Sequence, residues 1–369
     1  MGWLRSSKKY LTKMRDLEDT DVRRVVNENY SIIPRLSNMV SSIDEGYIPL
    51  NIIHSIIFNV LVYLYLYLFV VTCYLLRDDF VLVGVQFHYL LLALFGSVFQ
   101  FHMYTSRLSF LQAHKIIALD FYTYEMDLLV DEKAKFKEYM LKQRRQLIPF
   151  MFLIGVIGMF IVGFGPLIDN MVGAGHDGDY LNGVYMKTPI PMYFPFEIDD
   201  AVSHYAATGF QIVTVVMLAL SISGVVFMYV VTTQNLALQF RVLIASLNKL
   251  KERSKARFDK LYPNDKINPK NLSNDDKFQQ CIAFCLRENI KHHQVMIKYY
   301  LIHARLIGVP ILSAFFMGTF IIALSMIILV EKTDRYGLLM TNTLAMIGEV
   351  GNLFIACYFG EEILTLVSR

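Results

Sequence analysis

Residues 50–76, LNIIHSIIFNVLVYLYLYLFVVTCYLL, and residues 80–104, FVLVGVQFHYLLLALFGSVFQFHMY, contain no Asp, Glu, Lys or Arg, and only Arg77, Asp78 and Asp79 separate them. A helix rises about 1.5 Å per residue and needs roughly 20 apolar residues to cross the hydrocarbon core of a bilayer. Both stretches are long enough, and the charged turn is short enough to make them a tight helical hairpin. Working outward, four more apolar blocks meet the same test, at 147–167, 201–232, 299–330 and 336–360. The sequence therefore predicts an all-α, polytopic helical membrane protein with six spans. At 55% hydrophobic and 18% charged residues, it falls well below the roughly 25% charge of an average soluble chain. No soluble domain of useful size is left over.

Basic residues set the direction of insertion, because loops rich in Lys and Arg stay in the cytoplasm. With the amino terminus inside, the cytoplasmic segments hold 28 of the 35 Lys and Arg residues: eight before residue 50, eight in 105–146 and twelve in 233–297. The outer loops hold four, Arg77, Lys187, Lys332 and Arg335. That asymmetry predicts a cytoplasmic amino terminus. The net charge of +3 then reflects topology and contact with anionic membrane lipid, and gives no reason to expect nucleic acid as a partner. The chain divides into a cytoplasmic amino-terminal segment (1–49), spans one to four (50–232) with an outer lid loop at 168–203, and a cytoplasmic helical extension (233–297). Spans five and six (298–360) and the start of a cytoplasmic helix (361–369) complete it.

Within the extension, Leu236, Phe240, Leu243, Leu247 and Leu250 recur at gaps of 4, 3, 4 and 3, the spacing of a helix with one apolar seam. The fourth span should continue into the cytoplasm on this helix until the prolines at 263 and 269 break it, leaving a tip without order. Helix should resume near Lys277 and run into the fifth span. A projecting seam implies a subunit interface along these five residues; packing within the chain is the competing reading. The outer loop is different, with Pro189, Pro191 and Pro195 and six acidic residues against Lys187 alone. Its Tyr180, Tyr185, Met192, Tyr193, Phe194 and Phe196 are too apolar for a free linker and point to an ordered lid.

Glu349 falls near the middle of the sixth span, where a carboxylate costs at least a few kcal/mol on insertion scales unless it is paired or neutral. It should face protein as a protonated carboxyl donating a hydrogen bond, with either a gating or a purely structural role. Cys281, Cys285, His292 and His293 sit on neighbouring helical turns, but their spacing matches no closed zinc site. Small residues at a helix packing face are the reading adopted, with no metal and no cofactor.

Two stretches carry a specific resemblance. Phe196-Glu197-Ile198-Asp199-Asp200, followed by Tyr205 and Gln211, is similar to the loop and start of the fourth span in insect odorant receptors. The run from Gly351 to Gly360, ending Cys357-Tyr358-Phe359-Gly360, looks like the Cys-x-Phe-Gly motif at which that family's sixth span leaves the membrane. The run from Cys281 through Arg287, Ile290 and His293 also resembles the approach to the family's fifth span. The resemblance implies a ligand-gated, non-selective cation channel in the plasma membrane of sensory neurons, a hetero-tetramer of tuning subunit and odorant receptor co-receptor. The 233–297 extension is shorter than the co-receptor's, so this chain looks like a tuning subunit. It would bind a small volatile organic ligand in the outer half of the bundle. The topology puts the outer halves of spans two, three, four and six at about 80–92, 157–167, 202–217 and 336–348. The candidates there are Phe87, His88, Phe160, Phe164, Tyr205, Gly209, Ile212, Met340 and Thr343. Aromatic rings would enclose the ligand, and His88, Tyr205 or Thr343 would offer one polar contact.

The resemblance also implies an anchor helix and a seventh, pore-lining span beyond Gly360. The sequence stops at Arg369, and no earlier span offers a regular polar face, so these residues alone are expected not to conduct. Other classes fit less well. A G-protein-coupled receptor needs the opposite orientation and an acidic-Arg-Tyr triplet that is missing from the third span. An enzyme needs a constellation of His, Asp, Glu or Ser within the spans, which hold few. A gustatory-type subunit shares the architecture, and a transporter would show two related halves; these two are the alternatives carried forward.

Overall fold

The computed structural model describes residues 24, 25, 28, 29, 48–126, 128–171, 179–263, 275–330 and 336–368. The first hairpin is present as α1 (Ile48–Leu75) and α2 (Phe80–Thr105). Asp79 supplies the break: its backbone is extended, and its carboxylate accepts the Leu82 N–H at 3.0 Å, capping the new helix. A short helix, α3 (Arg107–Ala118), turns away from the end of α2 and is followed by α4 (Val130–Met171). Three two-residue strands, β1 (Tyr180–Leu181), β2 (Val184–Tyr185) and β3 (Met192–Tyr193), form an antiparallel sheet in that order. Asp200 and Ser203 close a reciprocal capping box that starts α5 (Ala201–Asn248). Then come α6 (Leu250–Leu261), α7 (Asp276–Val330) and α8 (Tyr336–Val367).

Five of the described helices are long and apolar enough to cross a membrane: α1, α2, α5, α7 and α8. The third span foreseen in the sequence, 147–167, lies on α4, where the side chains of 148–167 fall outside the described set. At 48 and 55 residues, α5 and α7 are roughly 70 and 80 Å long, more than twice the ~30 Å of a bilayer core. Their charged ends, from Arg241 on α5 and up to Arg305 on α7, therefore project beyond the bundle at the end opposite the sheet. The amino-terminal half of α7, with His292, belongs to this projection. The helices of the fourth and fifth spans thus continue beyond the length a bilayer needs. The tip foreseen between them, 264–274, lies outside the described residues.

Helix α8 packs on α4, α5 and α7, while α2 packs on α1, α5 and α7. Phe99, Met103, Phe110, Val225, Met228 and Leu306 bury one another where α2, α3, α5 and α7 meet. Apolar side chains left exposed, such as Tyr63 and Tyr67 on α1 and Leu312 and Phe316 on α7, sit on the spans, where lipid would cover them. Two details add to what the spacing alone predicts. The seam on α5 is largely filled from within the chain, since Leu236, Phe240 and Leu243 pack against Ile116, Phe121, Met296 and Tyr299. Helix α3 and the connection after it fold back onto that face, which its spacing alone cannot reveal. Leu250 is half-buried and only Leu247 is exposed. In addition, α8 runs unbroken through Gly360 to Val367, so residues 361–367 continue the same helix.

Candidate functional site

The sheet end of the bundle is closed by a lid. Its first hairpin turns at Asn182 and Gly183, both with positive φ, the pairing of residues that a tight two-residue hairpin loop favours. Side chains from three spans reach up and hold it. Gln86 on α2 donates to the Pro191 carbonyl at 2.6 Å. Gln211 on α5 accepts the Ile190 N–H at 3.2 Å and donates back to the Ile190 carbonyl at 2.7 Å. Thr72 on α1 accepts the Tyr193 N–H at 2.9 Å while donating to its own helix at Leu68. All three side chains are buried, and buried polar groups are costly to leave unpaired, so the lid is held firmly. Beneath it, Ile190, Met192 and Phe194 pack on Tyr65 and Phe69 of α1 and Ala207 of α5.

Below the lid, one polar node crosses three helices. Ser325 on α7 donates to Asn342 Oδ1 on α8 at 3.1 Å, and Asn342 Nδ2 donates to the Ser325 carbonyl at 3.1 Å. The Ser325 hydrogen is thereby committed, so its oxygen is an acceptor toward His88 Nδ1 of α2, 3.5 Å away. That arrangement leaves Nε2 of His88 as a lone pair, buried and without a hydrogen-bond partner among the described residues. Asp169, near the end of α4, accepts the Gly337 N–H at 2.6 Å, which satisfies a free donor at the start of α8 and ties the two helices together.

The profile of the family described as 7tm odorant receptor matches residues 83–369. The chain belongs to this odorant receptor family. No curated protein matches it in sequence. Six solved chains match it in fold, among them the insect olfactory receptor OR5 from Machilis hrabei in complex with eugenol. That match has a TM-score of 0.60 at 11% identity and covers 94% of this chain and 81% of the other. At that identity the likeness is one of fold alone.

On this odorant receptor fold, the residues singled out in the sequence divide into three groups. His88 is buried in the polar node, Thr343 is half-buried and donates to Leu339 of its own helix at 2.8 Å, and Gly209 is half-buried with open space where a Cβ would stand. Tyr205, 73% exposed, and Ile212, 51% exposed, point away from the packed interior, as do Phe87 and Met340. Phe160 and Phe164 lie on α4, with side chains outside the described residues. Glu349 faces α7: its Oε2 is 3.5 Å from the position a Cβ on Gly318 would take, and Asn352 is its hydrogen-bond partner. Sequence reasoning missed Gln86, Thr72, Ser325 and Asn342, and met Gln211 only as part of a family-like stretch, without its role under the lid. Each was visible as a polar residue in an apolar block, and Asn182-Gly183 was visible as a hairpin signal. Cys281 is buried beside Phe258 and Phe278, and His292 is held by Tyr124 and Gln239.

Proposed function

We propose that this chain is the odour-tuning subunit of a ligand-gated, non-selective cation channel, with the lid outside the cell and the projecting helices in the cytoplasm. It binds a small volatile compound among α2, α4, α5 and α8, and gates together with a co-receptor in sensory neurons. It acts as a receptor and carries out no chemistry on its ligand. The observation that carries the reading is the Nε2 lone pair of His88, buried at the polar node under the pinned lid with no hydrogen-bond partner among the described residues. A buried polar atom of that kind is best matched by a ligand donor. The ligand class is then a small alcohol or phenol, and the solved Machilis hrabei receptor, in complex with eugenol, is in keeping with it. The asymmetry of Lys and Arg supports the orientation.

The test is a dose-response screen of volatiles on cells expressing the chain with the co-receptor. Hydroxyl-bearing ligands should lose about tenfold in potency in His88→Leu, one hydrogen bond's worth, while the matching ketones and ethers change little. Bulky substitutions at the half-buried Gly209 and Thr343, and at Phe160 and Phe164 of α4, should reorder ligand ranking at constant surface expression, and those at the outward-facing Phe87, Tyr205, Ile212 and Met340 should do so only if the ligand reaches the rim of the bundle. If these and His88→Leu all leave the curves unchanged, the pocket lies elsewhere. In the same cells Glu349→Gln keeps a donor and should respond as the parent does, whereas Glu349→Leu should respond weakly. Equal responses would remove Glu349 from gating.

A further inference from the structure

Helix α7 contains Pro310. Proline has no N–H and its ring crowds the carbonyl four residues back, so the Leu306 carbonyl loses its partner within the helix. The Leu306 side chain is fully buried in the cluster where α2, α3, α5 and α7 meet, and a bare carbonyl inside a membrane bundle is costly. Another helix supplies the missing donor. His102, near the end of α2, places Nε2 2.9 Å from the Leu306 oxygen. A carbonyl can only accept, which puts the hydrogen on Nε2. Ser106, where α2 gives way to α3, has its hydroxyl oxygen 3.2 Å from the same nitrogen, where it can only share that one hydrogen as a second, longer acceptor.

We infer that Pro310 and His102 form a hinge pair, in which the proline frees a carbonyl of α7 and the imidazole of α2 takes it. The segment of α7 beyond Pro310 carries Ser325 of the polar node, and the segment before it forms the projection. The joint between them is therefore clamped by α2, the same helix that meets Ser325 through His88. Any bending of α7 that separates Leu306 from α2 leaves the carbonyl bare, so the two halves of α7 change angle only together with the end of α2.

The test is a double-mutant cycle on the purified full-length chain in detergent. With Pro310 present, His102→Leu should lower the apparent melting temperature by a few degrees and broaden the distance distribution between spin labels at the exposed positions Ile297 and Phe320. Cys73 and Cys357 are replaced by serine for labelling. In Pro310→Ala the residue 310 N–H can reach Leu306 again, and His102→Leu should then change neither readout. His102→Gln, which retains an N–H, should keep the narrow distribution. If His102→Leu fails to express, its normal expression in the Pro310→Ala background supports the hinge pair. Equal loss in both backgrounds, or an unchanged distance distribution with Pro310 present, overturns it.

Discussion

Glu288→Leu is expected to destabilise the projecting half of the receptor by about 3–5 kcal/mol, the cost of leaving a buried charge without its partner. Arg253 on α6 is wholly buried and donates to Glu288 Oε2 on α7 at 2.7 Å. It also donates to Asn289 Oδ1 at 3.0 Å and to Ser246 of α5, and its guanidinium carbon lies 4.2 Å from the centre of the Tyr124 ring. The other carboxylate oxygen of Glu288 accepts the Glu125 N–H at 2.9 Å. A single ion pair thus joins three helices and the connection between α3 and α4. Removing Glu288 strands the guanidinium where water does not reach. The neighbouring Arg257–Glu125 pair, at 2.5 Å but with a part-exposed carboxylate, should be worth no more than about 1 kcal/mol. The check is the apparent melting temperature and protease resistance of Glu288→Leu, Arg257→Gln and the double variant Arg253→Met/Glu288→Leu. The double variant should recover much of the loss, because no unpaired charge remains. A Glu288→Leu protein that melts with the parent would show that the pair does not hold the projection together.

The spans and the projection were legible in the sequence because their signals are local. An apolar block such as 50–76 names its own environment, and the seam from Leu236 to Leu250 names its own period. What fills a seam is set by residues far away in the chain, so Leu236 could not announce that Ile116 and Met296 would meet it. Arg253 shows the same limit. It lies in the run Lys251-Glu252-Arg253-Ser254-Lys255, which reads as a solvated charged face, and only its encounter with Glu288 and Asn289 removes it from water. Of the residues singled out for the candidate site, His88 stands out in sequence and structure alike, because a titratable residue in an apolar span needs a reason. Aromatic residues such as Phe87 and Tyr205 carry no comparable signal, since outward and inward faces of a membrane helix are equally apolar. The lid was recognisable by composition, while its fastenings were not, because Gln86 and Gln211 pair with backbone carbonyls and amides that every residue offers.

The projecting half should also lose stability as pH falls below about 6.5. His292 is fully buried between Tyr124 and Gln239, and burial, aided by Lys133, His293 and Arg253, lowers its pKa to about 4. Burial also pushes Tyr124 up to about 12, so Tyr124 is a donor to His292 Nδ1 at 2.7 Å, and His292 Nε2–H donates to Gln239 Oε1 at 3.0 Å. Both ring nitrogens are satisfied only in the neutral form. His114 on α3, fully buried and facing Arg144, is likewise held down to about 4, chiefly by burial. Because these values lie below the ordinary 6.5, the unfolded chain takes up protons first. Stability is therefore complete above about pH 6.5 and is lost progressively as pH falls toward 4, by on the order of 1.4 kcal/mol per pH unit for each histidine. Other groups titrate in the same window, so the decisive quantity is the difference between parent and variant. Apparent melting temperatures of the purified chain, measured from pH 8 to pH 4.5, should fall less steeply in His292→Gln than in the parent, by one proton's share of the slope. His292→Gln will start lower at pH 8, since Tyr124 and Gln239 lose a well-placed partner, and the two curves should converge as the pH drops. Parallel curves across the whole range would mean that His292 takes up its proton as readily in the fold as out of it.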